Sequence, residues 1–187
     1  GLRYELNLPP FDANDKASVY DPLTGQLVAV GANGVPRGGY NTDKNNLAPR
    51  LGLTWSLTPD TVVRGSYGIF YDQSALSPGE GLYFNPPMFN FGMAFQYPGL
   101  PPLTLTDPFP SSFPIPIAPT ATTFQQDLQT SYLQKWHTSI QHQLGQGQVI
   151  EIAYVGSRGH NLLRGRDINQ PLPSAAPLNL RPNPMFA

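Results

Sequence analysis

Four stretches that alternate apolar and polar residues predict an all-β fold of antiparallel hairpins. They suit a transmembrane β-barrel with about five strands and long Pro/Gly-rich loops, because membrane strands need roughly 9–11 residues with a period of two. Short turns at one end and long loops at the other complete that pattern. The two hairpins are residues 48–57 with 61–72, joined by Thr58-Pro59-Asp60, and residues 132–144 with 148–157, joined by Gly145-Gln146-Gly147.

Composition narrows the classes of protein that this chain can belong to. Only 12% of the 187 residues are charged, about half the usual share in soluble domains. This low charge suits burial in lipid, in a larger assembly or in a fibre, and a β-rich soluble domain also remains open. The net charge of −1 gives no electrostatic footprint for nucleic acid. The absence of cysteine excludes disulfides and thiolate metal sites.

The N-terminal segment predicts one further strand followed by a long loop. Leu2, Tyr4, Leu6 and Leu8 alternate with polar residues, which is the period of a strand with one apolar face. Residues 10–47 are dense in Gly, Pro, Asn and Asp, so we expect an extracellular loop there. Within it, residues 27–30 predict a short strand that returns after Asn33-Gly34.

The alternation in the first hairpin predicts a section of barrel wall with one apolar and one polar face. Leu51, Leu53 and Trp55 share one face, whereas Arg50 and Arg64 fall on the small and polar face of their strands. We expect Arg50 and Arg64 to face a wet lumen and the leucine face to contact lipid, with Trp55 and Tyr71 as candidates for the aromatic girdles. A soluble sandwich with one face on its core fits the alternation equally well.

Residues 73–131 predict a second long extracellular loop, extended rather than helical. Proline at this density is incompatible with a central strand or a helix, and the many aromatic residues argue against plain disorder. We expect these rings to contact a ligand or a partner. The candidate contact residues are Tyr83, Phe84, Phe89, Phe91, Phe95, Tyr97, Phe109 and Phe113.

The second hairpin is amphipathic as well, and the chain after it is rich in proline. Trp136, Ile140 and Leu144 oppose Lys135 and His137 on the first of its strands. Residues 159–187 predict a loop or linker.

Catalytic, cofactor-binding and metal-ligating residues are not predicted anywhere in the chain, so we expect no enzyme. His137 and His142 fall on opposite faces of a strand and therefore cannot hold one metal together. Residues 12–15 and 41–46 offer clustered oxygen atoms, but they lack the spacing of a calcium loop, and Asx turns account for them. The glycine-rich residues 31–39 lack the ending of a phosphate loop.

Specific motifs resemble a known family. Residues 47–55 (LAPRLGLTW) and 61–72 (TVVRGSYGIFYD) are similar to a barrel hairpin of TonB-dependent outer-membrane receptors, in the subgroup with a carboxypeptidase-regulatory-like N-terminal domain. Residues 136–141 and 151–159 resemble a second hairpin of that barrel, and residues 1–5 and 169–171 fit its flanks. The resemblance implies energy-coupled uptake through a plugged barrel of 22 strands in the bacterial outer membrane.

Two functions from different classes follow from these observations. The chain has room for about five strands and shows neither a plug nor a TonB box, so we expect an excerpt of a receptor, closed by the remainder of the barrel and surrounded by membrane lipid, whose substrate is unknown. The alternative is a structural subunit of an extracellular fibre or sheath, in which the open edges pair with other copies. In that case residues 98–130 are candidates for O-glycans.

Overall fold

The computed structural model describes residues 1–72, 80–89, 98–99, 102–108, 120–171, 173 and 181–186. These residues fall into two compact units, one around a five-stranded sheet and one around a two-stranded sheet. The strands are β1 (Leu2–Tyr4), β2 (Ser18–Asp21), β3 (Gln26–Ala29), β4 (Leu47–Thr58), β5 (Thr61–Tyr71), β6 (Tyr132–Leu144) and β7 (Gln148–His160). Within the described ranges, no helix has the length and apolar character needed to cross a membrane.

The larger sheet is fully antiparallel and confirms the predicted hairpins. Its strand order is β1-β4-β5-β6-β7, and β5 pairs with β6 along its whole length, from Thr61 opposite His142 to Tyr71 opposite Tyr132. Each of the four long strands has 11 to 13 residues. Twelve residues that rise about 3.3 Å each and tilt by 45° cover roughly 28 Å, the thickness of a bilayer core.

Tight turns join the strands of each hairpin. Pro59 and Asp60 separate β4 from β5, with an irregularity in the register between Ser56 and Thr58. The turn between β6 and β7 has Gly145 and Gly147 at φ +60° and +88°. Glycine adopts this left-handed conformation without steric cost.

The smaller unit is an ordered loop region with its own core. Strands β2 and β3 form a hairpin, and Asp21 shapes its turn by accepting hydrogen bonds from the Leu23 amide and the Thr24 hydroxyl. The buried apolar side chains around this hairpin are Ala17, Val19, Val30, Val35 and Leu82.

Asn85 links three segments of this unit. Its side-chain amide donates to the carbonyls of Ser18 and Thr122, each at 2.6 Å, and its carbonyl accepts from the Thr122 amide. The side chain is about 1% exposed, and its bond to the Ser18 carbonyl is buried, whereas the two bonds to Thr122 are partly buried. In irregular segments, backbone amides and carbonyls lack the partners that a neighbouring strand would supply. A buried side-chain amide such as that of Asn85 supplies those hydrogen bonds instead.

Several element bounds differ from the sequence predictions for physical reasons. The first strand ends at Tyr4 instead of Leu8, and β7 continues to His160 because its backbone keeps pairing with β6 beyond Ser157. Strand β3 lies where a short strand was predicted, but its partner is upstream β2, because the turn forms at Asp21–Gly25 rather than after Asn33-Gly34. A 3₁₀ turn at Gly81–Phe84 interrupts the segment predicted to be extended.

Candidate functional site

One face of the five-stranded sheet is largely apolar. The register places Leu51, Tyr67, Trp136 and Gly156 side by side across four strands. Leu51 and Ile152 are 67% and 74% exposed, although side chains of this kind normally seek burial. A soluble surface rarely leaves so many large apolar side chains uncovered, so this face requires an apolar environment. Its other exposed members are Leu53, Trp55, Leu57, Ile140, Leu144, Ile150 and Tyr154.

The opposite face carries the charged side chains of the sheet except Arg158, which lies opposite Gln134 on the apolar face near its loop end. Arg50 lies opposite Gly68, which in turn lies opposite Lys135, and Arg64 lies opposite Ser139. Residues that face each other directly across antiparallel strands project to the same side. Arg50 and Arg64 therefore share this face, hereafter the polar face, while Tyr67 projects to the other side. That the polar face lines a lumen stays a prediction.

Strand β7 is less polar on this face than the other strands. Val149 and Val155 project to the same side as Lys135 and His137, and both are exposed. Glu151 is the acidic residue of β7, opposite Gln141, and Arg64 and His137 act on it electrostatically. Glu151 and Arg64 thus share the polar face without forming an ion pair within 4.0 Å.

The two ends of the sheet differ in their connections. The tight turns at Pro59-Asp60 and at residues 145–147 lie at one end, and residues 5–46 and 72–131 connect strands at the other. At the second end, on the apolar face, the rings of Tyr71, Tyr132 and His160 form a ladder with centroids 5.3 and 4.7 Å apart. Trp55 lies on the same face towards the turn end. Aromatic residues at both ends of an apolar band are typical of membrane barrels.

His142 also lies at the turn end of the apolar face. Its Nδ1 is 2.9 Å from the Thr61 hydroxyl, so a polar partner is available where the apolar surface ends. His137 projects to the polar face instead, as the alternation predicts. No group of three or more His, Cys, Asp or Glu side chains within the described ranges is arranged to hold a metal ion.

Comparison with protein families agrees with this geometry. The family model described as outer membrane beta barrel domain matches residues 1–187. The chain belongs to the outer membrane beta barrel domain family. No curated protein and no solved structure matched it.

Membership in the outer membrane beta barrel domain family explains the unlike faces of the sheet. It places the protein in the bacterial outer membrane, where lipid supplies the apolar environment that Leu51, Leu53 and Ile152 require. In the described residues, β7 and most of β4 have a strand partner on one side only. The five strands are accordingly an open section of barrel wall, since closure needs more of them.

The aromatic contact residues predicted for the loop of this barrel domain are described only in part. Tyr83 packs against the core of the loop unit, and burial raises its pKa above 10.0, with a further contribution from Asp12. Phe84 and Phe89 make an edge-to-face pair at 5.1 Å and remain exposed. Phe91, Phe95, Tyr97, Phe109 and Phe113 lie outside the described residues. Contact of these rings with a ligand or partner stays a prediction.

The oxygen-rich loop segments of the barrel domain serve as turns. The Asp12 carboxylate accepts hydrogen bonds from the amides of Asn14 and Lys16, and these bonds lower its pKa. Asp43 accepts from the amides of Asn45 and Thr130. Both arrangements are those expected of Asx turns and backbone bridges.

A cluster on the polar face was not predicted from the sequence. The guanidinium carbon of Arg50 lies 4.5 Å, and the ammonium of Lys135 5.6 Å, from the ring centroid of Phe70. The alternation places each residue on the polar face of its own strand. Their proximity depends on the register between β5 and β6, which are 60 residues apart along the chain, and no local signal sets that register.

Proposed function

We propose that this barrel section is part of a TonB-dependent receptor and takes part in the uptake of a solute across the outer membrane. The observation that carries the proposal is the cationic polar face behind an apolar face, at the end of the sheet where long connections depart. In barrels of this kind, the long loops face outside and the lumen is polar. Arg50 and Lys135 lie on the polar face near the end of the sheet from which the long connections depart.

The hairpin motifs support the TonB-dependent subgroup. Residues 61–72 hold the segment TVVRGSYGIFYD, which resembles the barrel hairpin of those receptors, and it forms the regular strand β5 at the centre of the sheet. The remainder of the receptor barrel closes the edges at β4 and β7. An extracellular fibre closes the same edges with other copies, but it must also cover the apolar face with a second sheet, whereas a receptor barrel leaves that face to lipid.

The test is uptake by a bacterium that makes this protein. Cells are supplied with a panel of radiolabelled solutes too large for general porins, and accumulation is compared between the parent strain, a strain without the protein and a strain without TonB. We expect at least one solute to accumulate only in the parent strain. Accumulation that survives the loss of TonB contradicts energy-coupled uptake, and protein found in extracellular filaments instead of the outer-membrane fraction supports the fibre.

A further inference from the structure

The cations of the polar face differ in how their charge is compensated. Arg64 interacts electrostatically with Glu151 on the same face, beyond ion-pair distance. Arg50, Lys135 and Arg64 itself have no carboxylate within 4.0 Å in the part of the chain that the structure describes. Arg50 and Lys135 are both exposed, and they come from the strands on either side of β5. Two positive charges thus flank one strand without an acidic partner.

Phe70 lies between these two cations and contacts both of them. Its ring is within cation–π distance of both, and the attraction of the ring face for positive charge offsets part of their mutual repulsion. A side chain that is held in place before its ligand arrives loses less conformational entropy on binding. The ring therefore pre-organises Arg50 and Lys135.

Gly68 makes room for this arrangement. It lies directly between Arg50 and Lys135 in the register, and a Cβ atom at this position would be 2.9 Å from a ring carbon of Phe70. Contacts that short do not occur between unstrained carbon atoms, so any side chain at residue 68 displaces the ring. The glycine allows Phe70 to fold back along β5.

An open groove of about 350 Å³ adjoins the cluster, lined by Arg50, Ser66, Phe70, Lys135 and His137 among others. Its donors are a planar guanidinium, an ammonium and a hydroxyl. A guanidinium binds carboxylate or phosphate oxygens in a two-pronged manner, and an ammonium adds a point charge.

We propose that Arg50, Phe70 and Lys135 form a binding subsite for an anionic group, a carboxylate or a phosphate, carried by the solute that the receptor takes up. The subsite rests on the proposed function for its biological role. Arg50 and Lys135 contact the anionic oxygens, and Phe70 holds the two cations apart and in place. A neutral analogue of the same solute lacks this contact and binds more weakly.

The test measures binding of defined anions to the purified full-length protein in detergent micelles at low ionic strength. Isothermal titration uses citrate as the carboxylate probe, inorganic phosphate as the phosphate probe and glycerol as the neutral control. We expect Arg50→Gln and Lys135→Gln each to weaken binding of the preferred anion about tenfold, the scale of one charge-assisted hydrogen bond. The tighter of the two anions identifies the group that the subsite accepts.

Arg64→Gln is the matched control, because it removes the same charge from the same face beside an acid. Its binding should change less than about twofold, since Arg64 is not among the residues that line the cavity beside Phe70. Phe70→Leu keeps both charges but removes the ring that contacts them, so it should weaken anion binding without abolishing it. Urea unfolding of each variant shows that the barrel is intact.

Two results overturn the subsite. One is the absence of anion binding to the intact wild-type protein. The other is an equal loss of anion affinity in Arg50→Gln and Arg64→Gln, because it shows that the anion is attracted only by the overall positive charge of the polar face. Neither result affects TonB-dependent uptake, which is measured separately in cells. Conversely, anion binding that persists in a protein without TonB-dependent uptake leaves the subsite standing and contradicts the proposed function.

Discussion

The indole of Trp136 lies directly against Gly156, its partner across the β6–β7 ladder, where a side chain would collide with the ring. The aromatic side chain covers backbone that glycine leaves bare, a device that fixes register between neighbouring strands. This contact also fills the apolar face at a point where β7 offers no side chain. It therefore contributes to both pairing and the surface that lipid meets.

Gly156→Ala should destabilise the barrel by about 1–3 kcal/mol, because the new methyl group forces the indole of Trp136 out of its position. Gly65→Ala is the matched control, since it lies on the same apolar face and a Cβ atom there meets nothing within 4 Å. Urea unfolding of protein refolded into liposomes measures both. Equal free energies of unfolding for the two variants would show that the contact between Trp136 and Gly156 does not stabilise the barrel.

Lysine should be tolerated on one face of β7 and not on the other. Tyr154 and Val155 are adjacent and similarly exposed, at 65% and 70%, but project to opposite faces. Tyr154→Lys places a charge against lipid and should cost about 2–4 kcal/mol. Val155→Lys places it among Lys135 and His137, where we expect a loss below about 1 kcal/mol. A larger loss in Val155→Lys, measured by the same unfolding assay, would reverse the assignment of the faces.

Loss of the Asn85 side chain should loosen the loop unit and spare the wall. Asn85→Ala leaves the carbonyls of Ser18 and Thr122 without their buried partner, at a cost of about 1–3 kcal/mol. Asn14→Ala is the control, because that side chain is exposed. Limited proteolysis should cut the Asn85→Ala loops faster while the heat-modifiable band shift of the barrel persists. If Asn85→Ala is cleaved no faster than the control, Asn85 does not stabilise the loop unit as a cross-link.

Local pattern predicted the hairpins because alternation and short turns are properties of neighbouring residues. The faces of β4 and β5 followed at once, since Arg50 and Leu51 must project to opposite sides of one strand. The strand that pairs with β3 was not predicted correctly, because turns at residues 21–25 and at residues 33–34 could each form the hairpin. The hydrogen bonds of Asp21 stabilise the first of these turns.

Contacts across long connections were beyond the reach of the sequence. The proximity of Phe70 to Lys135 depends on a register set over 60 intervening residues, and the folding of Phe70 over Gly68 is a choice of side-chain rotamer. The extension of β7 to His160 was missed for a related reason. The apolar–polar alternation that predicted this strand stops before Gly159, but the backbone of Gly159 still pairs with that of Leu133.

The most direct test of the account is the environment of side chains on the two faces of the sheet in a bilayer. The protein has no cysteine, so Leu53→Cys, Thr54→Cys, Glu151→Cys and Ile152→Cys each give one labelling site. Each variant is labelled with a small fluorophore in urea, refolded into liposomes and quenched either by brominated lipid chains or by aqueous iodide. We expect lipid quenching for Leu53→Cys and Ile152→Cys and iodide quenching for Thr54→Cys and Glu151→Cys, whereas quenching of all four by iodide alone would contradict a membrane-spanning wall.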